Sequence, residues 1–194
     1  MAACTSTPAE PAAPVIVPGK PGEPARTLSP GESLPKTPQA PPADADVRYL
    51  HNMIAHHQQA IEMARLVPER AAALDVKRVG DRIAASQGPE IEAMNTWLRT
   101  HGQPTVDPEH AGHESHDGMP GMATPAQLDA LRAATGTAFD ALFLQLMITH
   151  HQGALTMAGE IQLKGKDPRI QEIADEVIAE QTAEINRMRA IAPH

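Results

Sequence analysis

From residue 44 onward, apolar side chains recur at every third or fourth position, the spacing that gathers them on one helix face at about 100° per residue. Over residues 44–67 the stripe is Met53, His56, His57, Ala60, Met63, Ala64 and Val67, with His51, Gln58 and Glu62 outside it. A second stripe, Val79, Ile83, Gln87, Glu90, Met94 and Trp97, is repeated near the chain end by Ile173, Val177, Gln181, Glu184, Met188 and Ile191. Imidazoles, amides and carboxylates therefore occupy faces that must turn inward. Buried polar groups without partners cost about 1–3 kcal/mol each, so these side chains must bond one another, water or an ion.

The pattern predicts a first helix from about Asp44 or Asp46, either able to serve as N-cap, to about Val67, where Pro68 ends or kinks it. A second runs from about Asp75 to Thr100, interrupted by Gly88-Pro89, and closes at His101-Gly102, where His101 serves the helix C-terminus. Thr124-Pro125-Ala126-Gln127 reads as a capping box opening a short helix to about Ala134. After Gly136 a long helix spans about Thr137 to Lys164, with Gly165 as its C-terminal cap, and Asp167-Pro168 starts the last helix, to about Ile191.

These elements come in matching pairs. Met53-Ile54-Ala55-His56-His57-Gln58-Gln59-Ala60 stands 94 residues before Met147-Ile148-Thr149-His150-His151-Gln152-Gly153-Ala154, and Gln87, Glu90, Ile91 and Met94 precede Gln181, Glu184, Ile185 and Met188 by the same interval. The expected fold is all-α: a four-helix bundle of two duplicated helix pairs, with a short extra helix before the third long one. Residues 44–194 form the bundle domain, 44–102 the first pair, 103–123 a linker and 124–194 the second pair. The approximate two-fold symmetry would face the two Met-x-x-His-His segments across the bundle axis.

Composition narrows the class. Only 2% of residues are aromatic, which suits helix packing rather than sheets. A net charge of −8 offers no footprint for nucleic acid or an anionic membrane. Eleven of the nineteen prolines fall within residues 5–42, so residues 1–43 read as a signal remnant and a disordered, Pro-rich tether. The single cysteine, Cys4, excludes an internal disulfide. Behind Met1-Ala2-Ala3 it resembles the lipid-attachment residue of an exported bacterial lipoprotein, which would make Cys4 the chain's one link to a membrane.

The inward side chains suggest a metal. Di-iron bundles need a Glu from each of two helices, a role open to Glu90 and Glu184, and a Glu-x-x-His from each of the other two. Here the second motif is Met53-x-x-His56 and Met147-x-x-His150, a thioether in place of each carboxylate, which turns the site from hard iron toward copper, Cu(I) before Cu(II). Met63, Met157, Met94 and Met188 extend the soft donor set. Neighbouring His56 and His57 diverge by about 100°, so two sites, or one site whose imidazoles are oriented by Gln and Glu, fit better than a four-histidine cage. In the linker, His110, His113, His116, Met119 and Met122 recur every third residue, a tract suited to copper capture and transfer.

The order Phe139-Asp140-x-x-Phe143-Leu144-x-x-Met147-Ile148-x-His150-His151-x-Gly153-Ala154-x-x-Met157-Ala158, followed by Gln181-x-x-Glu184-Ile185-x-x-Met188, resembles the bacterial family of domain of unknown function 305 over about residues 44–192. The first copy departs from it with His51 in place of Gln145 and with Pro89 inside its second helix. The resemblance implies a ferritin-like helical bundle, export, and copper handling in the cell envelope or periplasm through Met53, His56, His57, Met63, Met147, His150, His151 and Met157.

The expected function is an extracytoplasmic copper-binding protein, a buffer, store or carrier for homeostasis or resistance and not an enzyme. Its partners would be copper ions and the envelope proteins that export or oxidise copper. A dinuclear metal oxidase and a metal-free interaction module, in which the histidines only bond the glutamates, are the rivals. An apolar stripe too wide for one bundle would signal a homo-oligomer. Imidazole ligands of ordinary pKa should lose copper below about pH 6.

Overall fold

A computed structural model describes residues 16–18, 22–29, 32, 41–106 and 118–192. The chain divides into two units, residues 1–40 and 41–194. In the first, β1 (Ile16–Val17) pairs antiparallel with β2 (Arg26–Thr27), Ile16 opposite Thr27 and Val17 opposite Arg26. Gly22, at φ 89°, supplies the left-handed backbone of the connection. Arg26 pairs with Glu32 at 3.3 Å.

The second unit is helical: α1 (Asp44–Ala64), α2 (Val67–Arg70), α3 (Leu74–Thr100), α4 (Pro125–Ala133), α5 (Gly136–Lys164) and α6 (Pro168–Ile191). Each long helix packs against two others: α1 on α3 and α5, α6 on α5 and α3. Among the described residues no helix is long and apolar enough to cross a membrane. The capping box forms as the sequence predicts, Gln127 N–H donating to Thr124 Oγ1 at 3.2 Å and Thr124 N–H to Gln127 Oε1 at 2.8 Å. Asp167 likewise caps α6, accepting from Arg169 and Ile170 N–H.

Several ends depart from expectation. α1 stops at Ala64 and Val67–Arg70 forms a separate turn, because Pro68 is tolerated in the first turn of a helix and not inside one. α3 runs unbroken past Pro89, which faces solvent, where a missing donor costs little. Neither Asp44 nor Asp46 caps α1; its N-cap is Ala43, without a side-chain bond.

Asp46 instead reaches the turn between α5 and α6, accepting N–H bonds from Lys166 and Asp167 at 3.3 Å. Asp140, 94 residues on, does the same to the other turn, accepting from Ala72 at 3.1 Å and Ala73 at 2.8 Å. Each carboxylate thus clasps the amides that open the second helix of the opposite pair, where a helix N-terminus favours negative charge. The clasp explains Gly165. Its backbone is extended (φ −69°, ψ 150°) rather than left-handed, and a Cβ there would stand 2.8 Å from Asp46 Oδ1.

The apolar core is split. One cluster gathers Met63, Val79, Ile83, Phe139, Phe143, Met147 and Met188; the other gathers Leu50, Met53, Met94, Trp97, Ile161, Ile170 and Val177. Along all four long helices the residues between these clusters are polar: His56 and His57, Gln87 and Glu90, His150 and His151, Gln181 and Glu184.

Candidate metal centre

All four imidazoles of this polar layer are completely buried. Adjacent residues on a helix point about 100° apart, so the two histidines of each pair serve different neighbours. His56 on α1 and His150 on α5 meet face to face across the contact between the halves, ring centroids 3.7 Å apart and planes tilted by 33°. His57 turns to α3 and His151 to α6, where each Nε2 lies 2.6 Å from a carboxylate oxygen, of Glu90 and Glu184 respectively.

These bonds fix the tautomers. A carbonyl or carboxylate oxygen only accepts, so His57 and His151 donate Nε2–H to Glu90 and Glu184, and His56 donates Nε2–H to the Pro120 carbonyl at 3.0 Å. In a neutral ring so anchored the lone pair resides on Nδ1, and none of these Nδ1 atoms finds a hydrogen-bond partner on the protein. His150 makes no hydrogen bond through either nitrogen, and the Gln87 amide and Gln181 Oε1 are unpartnered in the same layer. Unpartnered buried polar groups are costly in a folded interior; here they include imidazole nitrogens of all four histidines, concentrated in one layer.

Burial also sets their charge. His56 is lowered to about 3 by desolvation first and then by His57, against the Pro120 bond. His57 is lowered to about 3 by desolvation and by His151, opposed by Glu184 and Glu180. His150, buried among the other three, is held well below the ordinary histidine value. These rings stay neutral, with lone pairs free, far below neutral pH. Burial raises the Glu90 carboxyl. Glu180, hydrogen-bonded to Glu90, is pushed up to about 7 by that bond and by partial desolvation.

Among the described residues no three His, Cys, Asp or Glu side chains converge as a ready-made metal chelate. The sequence expectation that Glu90 and Glu184 would be donors meets a competing use, since each already holds an imidazole. The thioethers flank the layer. Met53 and Met147 precede His57 and His151 by one helical turn, and Met94 and Met188 follow Glu90 and Glu184 by one turn; all four are buried. Met63 and Met157 lie six residues beyond His57 and His151, about 9 Å along the helix axis at about 1.5 Å per residue. Met63 is buried in the first apolar cluster and Met157 packs at the edge of the second. Met119 and Met122 are half-buried beside Pro120, while His110, His113 and His116 lie outside the described residues, as does Cys4.

His101 ends α3 as expected, its Nδ1 2.8 Å from the Trp97 carbonyl and its ring stacked on the indole at 3.9 Å. Sequence reading missed Pro120, Gln59 and Glu180. Glu180 had a signal, one turn before Glu184 on the same helix; a backbone carbonyl has none.

The family model for the domain of unknown function DUF305 matches residues 46–192. The chain belongs to the DUF305 family. A DUF305 fragment from Deinococcus radiodurans superposes with a TM-score of 0.68 at 30% identity, over 78% of this chain and 97% of the fragment. A DUF305 protein of Streptomyces coelicolor described as secreted gives 0.65 at 32%, over 74% and 89%. CopM in its Cu(II)-bound form gives 0.63 at 32%, over 75% and 93%, and CopM structures with Cu(I) and silver bound match this DUF305 chain similarly. An uncharacterized protein, L153, of Acanthamoeba polyphaga mimivirus is 44% identical over 52 residues, a match spanning 27% of this chain and 34% of the viral protein.

Proposed function

We propose that this DUF305 protein binds copper, Cu(I) in preference to Cu(II), in the polar layer of its helical unit and acts outside the cytoplasm as a buffer, store or carrier. The observation that carries the reading is a set of four buried imidazoles whose Nδ1 atoms find no hydrogen-bond partner on the protein. Three of them have the opposite nitrogen anchored by a carboxylate or carbonyl, the way metal-binding histidines are oriented. Adjacent thioethers add soft donors suited to Cu(I). The likeness to CopM, solved with copper and silver, supports the same chemistry here. The described secretion of the Streptomyces relative supports an exported chain, for which Cys4 is the proposed lipid anchor. A binding role is preferred to dinuclear oxidase catalysis, because Glu90 and Glu184 each already hold an imidazole at 2.6 Å.

The test is Cu(I) titration against a competing chelator for wild type and for the His56→Ala, His57→Ala, His150→Ala, His151→Ala variant, with circular dichroism confirming retained helix. Loss of tight uptake in the folded variant is expected. Equal uptake would remove the polar layer from the reading. The pH expectation from the sequence is corrected by burial for three rings: binding through His56, His57 and His150 should hold from pH 7.5 to 5, because they do not take up protons there. A decline below pH 6 would assign binding to imidazoles other than these three. The carboxylate-bonded His57 and His151 favour one rival, a metal-free module, which predicts a melting temperature indifferent to copper.

A further inference from the structure

Residues 118–123 cross the outside of the α1–α5 contact as a strap. Pro120 is solvent-exposed, yet its carbonyl oxygen bonds the fully buried Nε2 of His56 at 3.0 Å. A single residue's thickness therefore separates the His56–His150 pair from water on this side.

Two residues seat the strap, one from each half. Gln59 on α1 makes a reciprocal pair with Ala123, donating to its carbonyl at 3.0 Å and accepting its N–H at 2.7 Å. At the matching position on α5 stands Gly153, against which the strap lies so closely that a Cβ would come within 1.9 Å of the Pro120 oxygen. Gly121 completes the fit. Its φ of 79° is left-handed, and a Cβ there would stand 2.5 Å from the Thr149 carbonyl. Met119 and Met122, half-buried on either side of Pro120–Gly121, place thioethers on this cover.

Resting on the copper reading above, we infer that the strap is the access gate of the imidazole pair: a soft cation reaches His56 and His150 when residues 118–123 lift from Gln59 and Gly153. Seating by two amide hydrogen bonds and close backbone contact, with little apolar burial beyond Ala123, suits a segment that opens without unfolding the helices. Gln59 and Gly153 are positioning residues: they hold the strap and touch no ion. The gate governs how fast ions enter and leave more than how many are held.

Stopped-flow uptake and release of Ag(I), a soft monovalent probe, would be measured on the full chain carrying Gln59→Ala, with Gly153→Ala as an independent way to unseat the strap. Amide exchange at Ala123 reports strap release in Gly153→Ala, where Gln59 still holds that amide. The expected result is both ion rates at least tenfold faster in each variant, and exchange likewise in Gly153→Ala, with stoichiometry unchanged. Faster Ala123 exchange in Gly153→Ala with wild-type ion rates overturns the gate, and so does unchanged exchange in that variant. Failure of the underlying reading shows separately, as undiminished silver uptake by the four-histidine variant.

Discussion

Residues 44–102 and 124–192 solve one chemical problem twice, and their differences gather at a few places. Asp46 and Asp140 clasp opposite turns through paired amides. His57–Glu90 and His151–Glu184 close at the same 2.6 Å. The divergence begins at the outer rim of the polar layer. Gln59 grips the strap where Gly153 makes room for it, and the strap bonds His56 while leaving His150 unpartnered. Tyr49 and Trp97, whose buried OH and N–H lack partners, stand where the second half has Phe143 and Ile191. The positions that agree are those that neutralise buried polarity or hold turns. Those that differ shape access from one side, or tolerate an orphan group that the other half avoids.

The largest expected effect is acid lability shared by both halves. An unfolded chain binds the protons of His56 and His57 near pH 6.5, while the folded chain resists them until about 3. Stability is therefore complete above pH 6.5 and lost as pH falls from 6.5 toward 3, by on the order of several kcal/mol for groups so deeply buried. His150 adds to the loss in the same direction. Glu180 acts oppositely: raised to about 7, its contribution is present below about 4.5 and lost as pH rises through 7, a small term for a solvent-exposed group. Urea midpoints measured at pH 7.5, 6, 5 and 4 should fall steeply toward acid. A flat profile would mean the layer already accommodates charge.

Next in size are the clasps. Asp46→Ala and Asp140→Ala each strand two backbone N–H groups at a helix start and should each cost about 2–3 kcal/mol in denaturant unfolding. A several-fold difference between them would end the equivalence of the halves. The smallest effect tests an asymmetry. Tyr49→Phe gives the first half the ring type of Phe143, removes the unpartnered hydroxyl, and should leave stability unchanged or raise it by about 1 kcal/mol.

Much of this arrangement was legible in the sequence because helix periodicity and caps are local. The 3.6-residue stripe turned all four imidazoles inward, and Thr124-Pro125 and Asp167-Pro168 announced their helices. The divergence of adjacent histidines was legible too, but not the partner each would meet, since His56 finds His150 only through the packing of α1 on α5. Asp46 misled as a cap because its real acceptor role lies across the molecule, although its 94-residue match with Asp140 was there to see. The strap was the least visible part: its contact with His56 runs through a main-chain carbonyl, and only Gly153 hints that something must lie close.

The exchanged clasps carry a consequence for chain continuity. Since each aspartate sits on one half and its amides on the other, a nick between Val106 and Gly118 would sever no clasp, and the resulting pieces would remain joined as complementary fragments. Each would supply what the other's helix start requires, so the two should reassemble when mixed rather than behave as strangers.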